Sequence, residues 1–266
     1  MKKLAVAALS AACIISAVAF AGCDSGEATV DYKLSEDGTH YIVSGVSGNQ
    51  RALTEYDVPS TYCEEEGGQA LPVTEIGDDA FMNCTRLKKV TVPDTVTRIG
   101  SRAFVRCAFT LFTIPESVTV IESRAFFDCS YLKEITIPKS VKSLGEMSFY
   151  CCTSLEKAYV KAEIETLEAY TFYNSVHAQG QNVFYNTSLT KVYLPATLKR
   201  IDITALQGNI ITDIYFAGND DQWNDLYFYK MVPKVVDGKE TDEKEEKRFD
   251  KKDVVGTTEI HKNSEF

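Results

Sequence analysis

The chain has 266 residues, 44% of them hydrophobic, and a formal net charge of −10 at neutral pH. That apolar fraction is enough to bury a core. An acidic surface repels phosphate backbones, which excludes nucleic acid as the expected partner. Lys2 and Lys3, an apolar run over residues 4–20 and a small-residue stretch reaching Cys23 open the chain, in the three-part layout of a secretory signal. The run barely reaches the ~17 residues that cross a bilayer and holds Ser10 and Ser16, so export is expected rather than a membrane span.

Phe20-Ala21-Gly22-Cys23 resembles the lipobox of bacterial lipoproteins, although Phe20 departs from the usual Leu. The resemblance implies that Cys23 is acylated, becomes the first residue of the mature chain and holds the protein to a membrane. Ordinary cleavage after Ala19-Phe20-Ala21, releasing a soluble protein, is the alternative. Cleavage before Cys23 removes Lys2 and Lys3 and moves the formal charge from −10 to −12.

Residues 32–46 alternate around Asp37-Gly38 and are predicted to form a hairpin that covers the open first coil. Residues 53–59 look like a first irregular strand, followed by a loop over 64–69. From there a repeat organises the chain. Ile76, Ile99, Ile121, Leu144 and Leu167 follow one another at a near-constant step, which is a solenoid period. Five positions beyond each stand Phe81, Phe104, Phe126, Phe149 and Phe172, one per coil. Strands are expected within residues 87–93, 109–115, 132–138, 155–161, 189–195 and 211–217. Alternation in the first of these turns Val90 and Val92 inward and Thr91 outward. A proline ends four of the six, because it lacks the N–H that a ladder needs. No coil can bury its own Leu, Phe and Ile positions alone, so the coils must stack.

Segments such as Ile135-Thr136-Ile137-Pro138-Lys139-Ser140-Val141 and Ile99-Gly100-Ser101-Arg102-Ala103-Phe104 resemble BspA-type leucine-rich repeats, over about residues 53–217. The resemblance implies an α/β solenoid: a right-handed array with one parallel sheet, short helical or 3-10 turns, an N-terminal hairpin cap and a C-terminal cap. It also implies a microbial surface protein of an adhesion or host-contact type, and no catalytic residue.

Eight positions after each Ile or Leu sit Cys84, Cys107, Cys129 and Cys152, then Ser175 and Asn209. Disulfides between stacked coils are conceivable in an exported chain. A buried small group that bonds to nearby backbone accounts for all three residue types, and a reduced ladder is the favoured reading. Four cysteines in a line do not make a tetrahedral cage, so no metal is expected, and no cofactor either. His40, His177 and His261 are scattered, no nucleophile or phosphate-loop motif is present, and Asp78-Asp79 read as turn caps, so no enzyme is expected.

Between Leu167 and Ile201 the step lengthens well beyond that of the other coils, placing an outward loop within 174–187 whose polar tip reads as solvated before it reads as a site. Asp220 or Asp221 is predicted to cap a short helix in which Trp223, Leu226 and Tyr227 close the last coil. Residues 232–253, with seven basic and eight acidic side chains, read as a solvated helix or a disordered excursion, after which 257–261 return as an edge strand. The organisation expected is a signal peptide over 1–22, lipid anchor, linker and N-terminal cap over 23–72, solenoid over 73–217, and C-terminal cap with charged tail over 218–266.

Outward strand positions form two columns. Lys89, Leu111, Glu134, Lys157, Lys191 and Asp213 make the first, with charges of both signs; Thr91, Thr113, Thr136, Tyr159, Tyr193 and Tyr215 make the second. Strand propensity and same-face packing explain the tyrosines as well as a binding strip does. As a strip, Tyr159, Tyr193 and Tyr215 with Lys157 and Lys191 suit a protein partner, while a glycan that stacks on the rings is the alternative and an inert envelope scaffold a third.

Overall fold

The structure is a computed structural model in which residues 27–65, 68–174, 189–236, 239–251 and 258–266 are described. The signal segment, Cys23, Ser175, His177 and all but the first residue of the expected loop over 174–187 lie outside them.

The described residues form a solenoid. One column of strands runs along the expected positions: Glu134–Ile137, Lys157–Val160, Lys191–Leu194, Asp213–Phe216 and Glu259–Lys262 pair in parallel, each with the next. The last of these is the edge strand expected from the tail. At the N-terminal end, Lys89–Thr91 pairs instead with Glu55–Asp57, the irregular first strand. Residues 109–115, expected as a strand, contribute only the bridge from Leu111 to Glu134. Bulk explains the gap: Phe112 occupies the slot filled by Ile135, Ala158 and Val192 elsewhere, and its ring packs against Phe104, Phe109 and Phe126.

Beside the expected ladder the fold carries a second one, built on the Ile and Leu positions that open each coil. Leu71–Ile76, Arg98–Ile99, Val120–Ile121 and Ser143–Leu144 pair in parallel, and pairing resumes with Thr166–Leu167, Arg200–Asp202 and Tyr227–Val236. The hairpin of Ala28–Leu34 and Tyr41–Gly48 turns at Gly38, whose φ of +69° suits glycine, and covers the open edge of Leu71–Ile76.

The Phe segments are the turns of the array. In four successive coils, residues four apart take positive φ: Asp79 and Asn83, Arg102 and Arg106, Arg124 and Asp128, Met147 and Cys151. Alternating hands of backbone direct the intervening amides along the array: Phe81 N–H donates to Ala103 O, Phe104 to Ala125 and Phe126 to Ser148 at 2.7–2.8 Å. Each left-handed non-glycine residue costs roughly 1–2 kcal/mol, and the ladder bond it permits returns about 0.5–1.5 kcal/mol. Inside, the rings of Phe81, Phe104, Phe126, Phe149 and Phe172 stack in a continuous column with centroids 5.1–5.5 Å apart. That spacing follows the separation of hydrogen-bonded strands, ~4.8 Å, so ring stacking and backbone pairing reinforce one register.

Two expectations at the C-terminal end are corrected. The helix Asp220–Asp225 is capped by Asn219, not by an aspartate; Asn219 and Gln222 bond reciprocally, and the two aspartates lie in the first turn, where they oppose the positive end of the helix. Trp223 is buried against Phe216, Leu226 ends the helix, and Tyr227 starts the next strand. Residues 232–236 and 239–249 are strand, not helix: Tyr227–Val236 and Lys239–Phe249 form a long antiparallel hairpin. Arg248 lies over the Tyr227 ring at 3.7 Å, and Arg200 both lies over Tyr229 and pairs with Glu246, which ties the hairpin base to the preceding coil.

Candidate functional site

Parallel pairing of the long-strand column fixes which outward side chains are neighbours. Lys157 stands beside Glu134 and Lys191, Lys191 beside Asp213, and Asp213 beside Glu259. In the adjoining file Tyr159 stands beside Thr136 and Tyr193, Tyr193 beside Tyr215, and Tyr215 beside His261. The two columns expected from the sequence are therefore real files of the fold over these coils, and the tail extends each by one residue.

The tyrosines are half-buried and stacked on one another. Ring centroids are 4.2 Å apart for Tyr159 and Tyr193 and 4.4 Å for Tyr193 and Tyr215, nearly parallel in both cases, and His261 continues the stack at 4.5 Å. Phe266 tilts against Tyr193. Partial burial and the adjacent phenols push the Tyr193 hydroxyl up from its ordinary range. Since most ring faces are turned toward each other, the strip presents edges and hydroxyls outward. Lys157 lies 4.0 Å from Glu134, a half-exposed pair.

The cysteine slot has a defined partner. Cys107 Sγ donates to Phe81 O at 3.3 Å, Cys129 to Phe104 O at 3.1 Å and Cys152 to Phe126 O at 3.3 Å, each one coil back. Asn209 Nδ2 makes the same bond to Phe172 O at 2.6 Å. These thiols and Cys84 are buried and unbridged. Burial pushes the Cys84 thiol up to about 12, and Cys107, Cys129 and Cys152 well above their ordinary range. Cys63, outside the ladder, is disulfide-bonded, while Cys151 carries a reduced thiol.

Carboxylates that could suggest acid/base chemistry are engaged between coils. Asp79 takes two bonds of 2.7 Å from Arg102, which hold its carboxyl below the ordinary range, and Asp78 accepts from the Ser101 amide and from Arg98.

Two groupings were missed by sequence reasoning. Phe127, Tyr150 and Tyr173, one position after the Phe slot, form a second half-exposed stack at 4.8 and 5.1 Å, joined by Tyr170. The repeat period carried that signal, since the three recur at the coil spacing. The other is His261, which the fold brings to Asp213 and Glu259; the nearer of these precedes it by 48 residues, beyond any local pattern.

The profile of the BspA type leucine-rich repeat region matches residues 70–179 and 167–235, in six copies. The chain belongs to this family. Two solved structures agree in fold at a TM-score of 0.50, and a third is similar over a shorter stretch. A leucine-rich repeat protein of Bacteroides ovatus is 23% identical with a TM-score of 0.50, over 70% of this chain and 53% of its own. The pneumococcal vaccine antigen PcpA is 19% identical with a TM-score of 0.50, over 75% of this chain and 50% of its own. A leucine-rich repeat protein of Bacteroides capillosus is 32% identical with a TM-score of 0.40, over 48% of this chain and 91% of its own. This BspA-type chain thus spans about half the length of the first two. No curated protein is significantly similar to it in sequence.

Proposed function

We propose that the chain is a surface lipoprotein, anchored through Cys23, that binds a protein partner through the long-strand face in an adhesion or host-interaction role. The carrying observation is the outward stack of Tyr159, Tyr193 and Tyr215 beside Lys157 and Lys191. A pre-stacked row is a rigid contact surface, so it loses little side-chain freedom on binding, and ring edges with polar tips suit the mixed chemistry of protein interfaces. A sugar that stacks needs an open ring face, and the interior of the row offers none, which favours protein over glycan.

Export agrees with the signal-like N-terminus. Among the described residues no helix is long and apolar enough to cross a membrane, so the lipid is the proposed anchor.

The test is to pass the mature protein over arrays of host matrix proteins and of glycans. A saturable protein partner whose affinity drops when Tyr159, Tyr193 and Tyr215 are together replaced by Phe, which preserves the stack but removes the hydroxyls, supports the reading. Response to glycans alone overturns it, and silence on both arrays favours a scaffold.

A further inference from the structure

His261 Nε2 lies 2.8 Å from Asp213 Oδ1 and 3.8 Å from Glu259 Oε2, and one ligand atom from each of the three residues lies within 4.8 Å of the others. Both carboxylates face the same ring nitrogen. At His40 the arrangement differs, since Asp37 faces Nδ1 at 3.8 Å and Glu75 faces Nε2 at 3.6 Å, from two sides of the ring. Only the first geometry can converge on one ion.

We propose that Asp213, Glu259 and His261 form a site for a late first-row divalent cation, of which Zn2+ is representative, and that the ion pins the terminal strand Glu259–Lys262 onto the repeat array. Parallel register creates the site. Asp213 pairs with Glu259 and Tyr215 with His261, so three side chains on one face come from two adjacent strands. The imidazole is held flat against Tyr215 at 4.5 Å, and Thr212 Oγ1 donates to Asp213 Oδ2 at 2.8 Å, leaving Oδ1 turned toward the histidine. Oriented ligands of this kind bind metal more tightly than free ones.

The separations suit the ion. Ligand bonds of about 2.1 Å in tetrahedral geometry put ligand atoms roughly 3.4 Å apart, between the two distances seen to Nε2. An imidazole nitrogen with two carboxylate oxygens selects zinc-like ions over Ca2+ and Mg2+, which prefer oxygen alone. When Nε2 takes the ion, the ring proton resides on Nδ1, and water supplies the fourth ligand. Lys191, the register partner of Asp213 on its other side, competes for that carboxylate and moderates the affinity.

The intact chain, stripped with a chelator, should bind one Zn2+ by titration calorimetry, and Co2+ should develop the visible absorption of a tetrahedral nitrogen–oxygen site. His261→Ala should abolish both signals. Because that change also removes a stacked ring, Glu259→Gln serves as the second variant: it leaves the stack in place and should weaken binding by at least ~tenfold. His40→Ala should bind as the wild type does. Saturating Zn2+ should slow amide exchange in Glu259–Lys262. Absence of binding, binding indifferent to both His261→Ala and Glu259→Gln, or exchange unaltered by the ion would each overturn the site.

Discussion

The Cys129 thiol donates a 3.1 Å hydrogen bond to the main-chain carbonyl of Phe104, one coil earlier. That carbonyl already accepts the amide of Cys107 within its own coil, so the thiol occupies its second lone pair. The slot therefore asks for a small side chain with a donor. Cys129→Ser keeps the donor and should be tolerated. Cys129→Leu overfills a fully buried space and should cost about 1–3 kcal/mol in denaturant unfolding, while Cys129→Ala, losing one bond, should cost about 1 kcal/mol. Thiol reagents should leave Cys84, Cys107, Cys129 and Cys152 untouched in the native protein and label four additional thiols on unfolding. Bonded pairs between adjacent coils in the mass spectrum would defeat this account.

The same slot shows what a sequence can reveal of such a fold. One residue per coil must fill one site, so the steps that separate Ile76, Ile99 and Ile121 reappear as register partners in a ladder. What the period could not convey was that Ile99 and Ile121 themselves sit in strands, since a two-residue strand leaves no alternation to read. Nor could it place His261. Between Asp213 and His261 runs the charged hairpin, whose pairs, such as Met231 with Glu246 and Val232 with Glu245, set apolar against charged residues and give neither half a clear period of its own. Its order comes from docking on Arg200–Asp202, a long-range contact. The tyrosines were placed on the right face, but their stacking on each other depends on ring orientation, which composition does not encode.

The stacked row should contribute to stability as well as to binding. Replacing Tyr159, Tyr193 and Tyr215 with Ser removes three stacked contacts, including that with His261. At ~0.5–1.5 kcal/mol for each pair, the triple variant should lose about 2–4 kcal/mol yet unfold cooperatively, because the inward residues Ala158, Val192 and Ile214 are unchanged. The matching change at Thr91, Thr113 and Thr136 should alter the denaturation midpoint much less. Equal losses from the two triples would show that ring stacking adds nothing beyond strand preference.

The C-terminal strand should loosen in acid. Hydrogen bonds from His261, then from Thr212, hold the Asp213 carboxyl below its ordinary range. A carboxyl with a depressed folded pKa stabilises the fold fully above its unfolded value, about 3.9, and loses that contribution as pH falls through the folded value. Asp213→Asn keeps an acceptor and removes the charge. With a chelator present, the difference between wild type and variant in amide exchange at Glu259–Lys262 should shrink as pH falls below about 4. A difference that persists unchanged to pH 2 would mean the carboxylate charge is not what holds the strand.

Anchoring is testable through sulfur chemistry, because acylation of the N-terminal cysteine of a lipoprotein consumes its thiol in a thioether. Cys63 is in a disulfide, and a sulfur cannot be in both bonds at once. If Cys23 carries the lipid, non-reducing peptide mapping of membrane-extracted protein should show Cys23 outside any disulfide and Cys63 bridged only to a second molecule, because Cys84, Cys107, Cys129, Cys151 and Cys152 are reduced, and metabolic labelling with a fatty-acid analogue should mark the wild type. Cys23→Ala should lose the mark and pass into the medium. A Cys23–Cys63 bridge in the membrane-associated protein, or an unmarked Cys23→Ala that stays with the membrane, would refute lipid anchoring. The second result would direct attention to the segment before Cys23 as a retained hydrophobic anchor, whose apolar run barely reaches the ~17 residues needed to span a bilayer.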